Sequence, residues 1–153
     1  MAYKDFAFFH RLRVRWAEVD MQSVVFNGHY LTYFDVALTE YWRAINLPSP
    51  IEQAKNGNEL FVKKATLEYH ASAKFDDELD IGVRTARIGN SSLTIVIEIY
   101  KDTQLLVSGE MIYVFVDTKV GSSTAIPTFW KEVLQQFDAV SYTHLTLPTI
   151  LRV

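Results

Sequence analysis

EVDMQSVVFNGHYLTYFD, Glu18 to Asp35, is where one hydrophobic period gives way to another. Upstream, His10 to Trp16 alternates. Leu12, Val14 and Trp16 fall on one side and Arg11, Arg13 and Arg15 on the other, which predicts a half-buried strand with a basic wet face. Downstream, Leu31, Phe34, Leu38, Tyr41 or Trp42, and Ile45 recur at helical spacing, while Tyr30, Tyr33 and Ala37 add apolar content to the opposite side. That pattern predicts a helix buried nearly all round, ending near Asn46 ahead of Leu47-Pro48-Ser49-Pro50. Between the two elements an acid, Asp20, precedes an apolar trio, Val24-Val25-Phe26, which runs into Asn27-Gly28.

Farther along, residues 51–58 read as a polar connection with a turn at Asn56-Gly57. Strand patterns then follow over Leu60–Lys74, Glu78–Ile88, Ser92–Tyr100 and Leu105–Asp117, with Asp102-Thr103-Gln104 as a hairpin link. A last amphipathic helix is expected from about Pro127 to Phe137, carrying Trp130, Val133, Leu134 and Phe137 on one stripe. Strand, buried helix, four strands in a meander and a closing helix make an α+β layout, one long helix on one curved antiparallel sheet of about five strands.

The chain has 153 residues, which suits one compact domain with a core of its own. We place that domain at residues 1–138. The stretch from Val140 on, VSYTHLTLPTILRV, breaks the helix stripe and resembles a translated sequencing adapter, so 139–153 is expected to be non-native tail. The net charge is −3 and there is no basic block, so the sequence has no electrostatic footprint for nucleic acid. With no cysteine, disulfides, thiolate metal sites and cysteine nucleophiles are excluded, which fits a cytoplasmic setting. No apolar run reaches the length of a membrane span, and MAYKDFAFFHRLRVRW lacks the h-region and cleavage site of a leader.

The loop offers a chemistry. Asn27 is a strong N-cap type, and Gly28 allows close approach to the backbone. The first amides of a helix lack intrahelical acceptors and sit at the positive end of its dipole, so they can hold an oxyanion. Asp20 would supply a carboxylate beside them, acting on water or directly on a carbonyl, and Val24-Val25-Phe26 would keep water out and line an acyl pocket. Read from the residues alone, a loop-capping Asp20 and an ordinary helix start explain the same stretch. No metal-ligand spacing links His10 or His70 to a partner, and neither a nucleophile elbow nor a phosphate loop is present.

RVRWAEVDMQSVVFNGHYLTYFDVALTEYW, residues 13–42, resembles the motif segment of the 4-hydroxybenzoyl-CoA thioesterase-like family of hotdog-fold acyl-CoA thioesterases. ATLEYHASAKFDDELDIGVRTARIGNSSLTIVIEIY, with its Tyr69-x-x-x-Ala73-x-x-x-Asp77-x-Leu79 pattern, resembles the family's later strands. GEMIYVFVDTKVGSSTAIP resembles its closing strand and the turn into the last helix. The resemblance reaches to about Phe137.

It implies a hotdog fold, hydrolysis of an acyl-CoA or acyl-carrier-protein thioester, no metal or organic cofactor, and a homodimer or homotetramer with sites shared between subunits. Asp20 falls on the family's catalytic carboxylate. Asn27 falls on the residue whose backbone amide polarises the thioester carbonyl, a place that holds His or Tyr in many relatives, with Gly28 beside it. Ser23 stands where Gly is usual. Val25 and Phe26 would contact the acyl group. Arg87, Gly89, Ser91 and Ser92 correspond to the stretch near the pantetheine and phosphates of coenzyme A, although on sequence alone they read as a turn between strands. Glu40 is kept as a reserve base, ahead of Asp35. Lys63, Lys64, Lys74 and Arg84 read as solvated faces. A hotdog hydroxyacyl dehydratase and a non-catalytic acyl-thioester binder are the competing functions.

Overall fold

A computed structural model describes residues 3–138; the tail expected to be non-native lies outside them. The elements are β1 (Phe8–Arg13), α1 (His29–Ala44), α2 (Pro50–Lys55), β2 (Asn58–Tyr69), β3 (Glu78–Ile88), β4 (Ser92–Lys101), β5 (Gln104–Asp117), a two-residue β6 (Ser122–Ser123) and α3 (Thr128–Phe137). All strand pairs are antiparallel, in the order β1-β3-β4-β5-β2, with β6 added against β5. The sheet curves as a half-barrel, the α+β hotdog layout expected of the chain.

The expected four-strand meander holds only for β3, β4 and β5. β2 lies beyond β5, at the opposite edge from β1. The link between β2 and β3, residues 70–77, therefore crosses three strand spacings instead of closing a hairpin. Eight residues reach about 26 Å, ample for a crossing of about 14 Å. On the way, the amides of His70 and Ala71 donate to Leu106 O (2.8 and 3.1 Å), which seats the crossing segment on the end of the sheet.

α1 buries Tyr30, Tyr33, Phe34, Ala37, Leu38, Tyr41 and Trp42, a stripe at i, i+3, i+4 and i+7. Its other face is wetter than expected: Leu31 is 42% exposed, and Val36 and Asp35 share that side. The buried stripe meets Leu79, Ile81 and Val83 of β3 and Leu93, Ile95, Ile97 and Ile99 of β4 in one core. Gly109 of β5 lets α1 come close, because a Cβ there would run into the Phe34 ring and Thr66 O. α1 stops where Asn46 turns left-handed (φ 61°) and Leu47 N reaches back to Trp42 O (2.9 Å).

Three local expectations need correction. β1 ends at Arg13, and Trp16–Glu18 winds into a 3-10 turn that leaves Trp16 72% exposed. A side chain overrides the alternation: the Glu18 carboxylate accepts from Arg15 N (2.8 Å) and closes the turn. The polar connection at 51–58 is largely α2, started by a Ser49–Glu52 capping box with Pro50 in the first turn. Arg84 is buried at 8% exposure rather than solvated.

Candidate active site

The loop after β1 folds back on itself. Asp20 N donates to Val24 O (2.9 Å) and Phe26 N to Glu18 O (3.0 Å), so Val19 pairs with Val25 across a tight turn. Ser23 N donates to Asp20 O (2.9 Å), and Gln22 N donates to the Asp20 carboxylate (2.8 Å). Ser23 itself takes the left-handed conformation (φ 66°) that glycine adopts most easily. The turn is thus held by its own hydrogen bonds, and Asp20 stays partly exposed at its tip. Val25 N donates to Ala73 O (2.9 Å), and Val24 bridges Lys74, which ties the turn to the crossing segment.

Beneath it lies Glu18, buried and charged. Its carboxylate accepts from the Arg15 guanidinium (2.6 and 3.0 Å) and from the Tyr33 hydroxyl (2.9 Å). Burial alone would raise its pKa, but the Arg15 and Tyr33 hydrogen bonds outweigh burial and hold it below the ordinary value. The same contact, with burial ahead of it, pushes the Tyr33 phenol up. Glu18 therefore anchors the turn to the first half of α1.

Gly28, not Asn27, occupies the N-cap of α1, and no side chain caps it. His29 N donates to Phe26 O (2.9 Å) and Tyr30 N to Asn27 O (3.4 Å). Among the described residues, the amides of Asn27 and Gly28 find no acceptor. The Phe26 ring covers Gly28 so closely that a Cβ there would lie 2.9 Å from it. The Tyr30 hydroxyl accepts from Ala73 N (3.0 Å) and pins the helix start to the crossing segment.

These elements enclose a cleft of about 420 Å³ whose lining includes Asp20, Val25, Asn27, Tyr30, Tyr69 and His70. A second cleft of about 440 Å³ also has Asp20 in its lining, with Trp16, Val19, Met21, Ser23 and Phe75. A partly exposed carboxylate, Asp20, and Asn27 at the positive end of a 16-residue helix thus border one space, with the unpaired Gly28 amide next in the chain. That set suits attack on a carbonyl whose oxygen gains negative charge.

Residues 14–137 match the family model described as the Thioesterase-like superfamily. The chain belongs to this superfamily. It is 26% identical over 133 residues to the acyl-CoA thioesterase YbgC of Haemophilus influenzae, covering 87% of this chain and 96% of that one. It is 28% identical over 127 residues to the acyl-CoA thioester hydrolase YbgC of Escherichia coli O6:H1, covering 82% and 92%. A 1,4-dihydroxy-2-naphthoyl-CoA thioesterase from Synechocystis shares the fold at TM-score 0.80 and 19% identity, over 86% of this chain and 97% of that one. The resemblance seen in the sequence therefore holds for the hotdog thioesterase-like superfamily, with the acyl group left open as before.

Within this thioesterase-like frame, the other expected residues scatter. Val25 is buried against the crossing segment. Phe26 leaves the cleft and turns its ring edge to His29, at 5.8 Å. Arg87, Gly89, Ser91 and Ser92 sit around the β3–β4 hairpin, where Gly89 N donates to Ser92 O (2.8 Å) and Phe115 N to Ser91 O (2.9 Å). β3 has 11 residues, which puts that hairpin roughly 33 Å from the end nearest Asp20. Glu40 lies about 17 Å along α1 from His29 and is tied to Arg43, whose hydrogen bond holds its pKa down. Asp35 borders a separate cleft with Leu38, Leu60 and Tyr113.

One residue that spacing did not single out reaches the cleft: His70, whose Nε2 lies 2.9 Å from Ser108 Oγ. Its place follows from the crossing segment, so no local motif announces it. Among the described residues, no three of His, Asp or Glu converge as metal ligands would.

Proposed function

We propose that this chain hydrolyses acyl-CoA thioesters, with Asp20 as the attacking or water-activating carboxylate and the amides of Asn27 and Gly28 as the oxyanion hole. The observation that carries this reading is the shared cleft: Asp20 and Asn27 border one space, and the amides of Asn27 and of Gly28 next to it have no acceptor among the described residues. The YbgC relatives, described as acting on acyl-CoA thioesters, support the same substrate class.

In the water route, Asp20 takes a proton from water as its oxygen adds to the carbonyl carbon. The carbonyl oxygen becomes an oxyanion facing the two amides. Collapse breaks the C–S bond, and the thiolate leaves with the proton, giving acid and coenzyme A. In the direct route an Asp20 oxygen adds first, and water then cleaves the mixed anhydride. A single turnover in ¹⁸O-water separates the water route from a direct route in which water attacks the Asp20 carboxyl carbon of the anhydride, since only the latter leaves the label in Asp20 and releases unlabelled acid.

A second copy completes the proposal. β2 is a sheet edge, and Phe61 and Val62 on it are exposed, a surface suited to pairing with another copy in a homodimer or homotetramer. The Arg87–Ser92 hairpin would then reach the coenzyme from the partner, because it does not approach Asp20 within one chain.

A dehydratase reading gains one specific support, since His70 and Asp20 line the same cleft. Incubation with short, medium, long and aromatic acyl-CoAs, following free thiol, tests the proposal. Thiol release that is lost in Asp20→Asn sustains it. Binding without thiol release turns the chain into an acyl-thioester binder, and loss of water from a hydroxyacyl-CoA turns it into a dehydratase.

A further inference from the structure

We infer that Trp16, Phe75 and Met21 form the wall that holds the acyl group, in the second of the two clefts that Asp20 lines. The inference rests on the hydrolase reading above and names which cleft takes which half of the substrate. Asp20 is the residue common to a cleft with the helix start and a cleft with the two rings, together with the adjacent turn. A thioester carbon facing Asp20 has two substituents, sulfur and acyl, and two clefts to receive them. The helix-start cleft is lined by Gln22, Asn27, His70 and Ser72, groups that match the amides of a pantetheine arm. The other is walled by Trp16, Val19, Met21 and Phe75, which offer an acyl group mainly apolar contact, with Ser23 beside them.

The rings are built to stay in place. Trp16 and Phe75 meet edge to face at 5.3 Å and 88°. Trp16 rides on the 3-10 turn that Glu18 closes. Phe75 is fixed by the backbone around it: Asp76 N donates to Val14 O (3.2 Å), Asp77 N to Lys74 O (3.1 Å), and Lys74 N to the Asp77 carboxylate (2.8 Å). Yet Trp16 is 72% and Phe75 48% exposed, and Met21 is fully so. Two rigid rings and one flexible thioether facing water suit a planar acyl group that can join the edge-to-face pattern, with Met21 closing over it.

Trp16 is also a built-in reporter, because Trp42 and Trp130 are 6% and 3% exposed. Titration with the non-hydrolysable ketone S-phenacyl-CoA is expected to change tryptophan fluorescence in the native chain, with the change abolished in Trp16→Leu. In turnover, Trp16→Ala and Phe75→Ala are each expected to lower the ratio of kcat/KM for benzoyl-CoA over acetyl-CoA about tenfold. A ratio that stays put in both variants overturns the assignment, as does a failure of the ketone to bind. A shift to a smaller species in Trp16→Ala on sedimentation also overturns it, since the rings would then cover another copy. If the ketone perturbs Trp16 while no acyl-CoA is cleaved, the wall stands and the hydrolase reading falls.

Discussion

The two ends of α1 each meet a carboxylate, and the two are handled in opposite ways. Asp20, near the N-terminal end, sits partly exposed on a turn held by its own backbone, beside amides with nothing to bind. Asp138, near the C-terminal end, is fully buried, where it accepts from Tyr41 OH (2.5 Å) and Thr85 N (3.0 Å). The first is a charge kept available, and the second a charge enclosed as a structural joint between α1, β3 and the end of α3. An acid meant for chemistry must keep room around it. An acid enclosed in packing takes the donors its walls offer, and here both reach Asp138 Oδ2 while Oδ1 is buried without one among the described residues.

The sharpest way to break this contrast is to remove each charge without removing its shape. Asp20→Asn should cost about a thousandfold or more in kcat with little change in melting temperature, since the loss is a reacting group rather than a packed one. A variant that keeps near-native turnover would move the base elsewhere. Asn27→Pro, which deletes a main-chain donor, should approach that loss, on the order of a hundredfold. Asn27→Ala should leave turnover within a few fold. It should also leave stability within about 0.5 kcal/mol, because the Asn27 side chain caps nothing here. If Ala harms activity as much as Pro, the side chain itself takes part.

How far these features could be read in advance depended on their range. β3 was legible to the residue, because alternation over Glu78–Ile88 is a local property. α1 was legible for the same reason. The place of β2 was not, since a period says which face a strand buries and nothing about its neighbour in the sheet. Trp16 went to the wrong side because one carboxylate, Glu18, outvotes a three-residue alternation. α2 carried its own announcement in Ser49, Pro50 and Glu52, and a polar reading of the segment passed over it. The candidate site divides the same way. Asp20 and Asn27 came from one contiguous motif, whereas His70 and Phe75 arrive on a segment whose path only the crossing decides.

The buried acid yields a pH prediction. Burial raises the Asp138 carboxyl from 3.8 to about 6, against the opposing hydrogen bonds from Tyr41 and Thr85 and the charge of Arg84. The folded chain therefore holds this proton more tightly than the unfolded chain does. The stability it confers is complete below about pH 4 and is lost as the pH rises through 6, an effect of roughly 3 kcal/mol. Urea melts at pH 5 and pH 8 should show a little under half of it, about 1.4 kcal/mol, because the unfolded carboxyl has already titrated by pH 5. In Asp138→Asn the slope from this group should vanish while activity remains, and an unchanged slope would refute the assignment.

The smallest effect tests the turn under Asp20. Ser23 holds φ 66°, a conformation that costs a residue with a Cβ about 1 kcal/mol and glycine much less. Ser23→Gly relieves that strain in the folded chain while giving the unfolded chain more freedom to lose, so the two terms partly cancel. The net is a gain in stability of at most about 1 kcal/mol, visible as a small rise in the urea midpoint. Turnover should hold within about twofold, because Gln22 N and Val24 O still fix Asp20 from either side of the substituted residue. Ser23→Val is the informative opposite: a β-branched side chain resists this φ, so the turn must open. If Asp20 is held for chemistry by this turn, that variant loses activity well before it loses its fold.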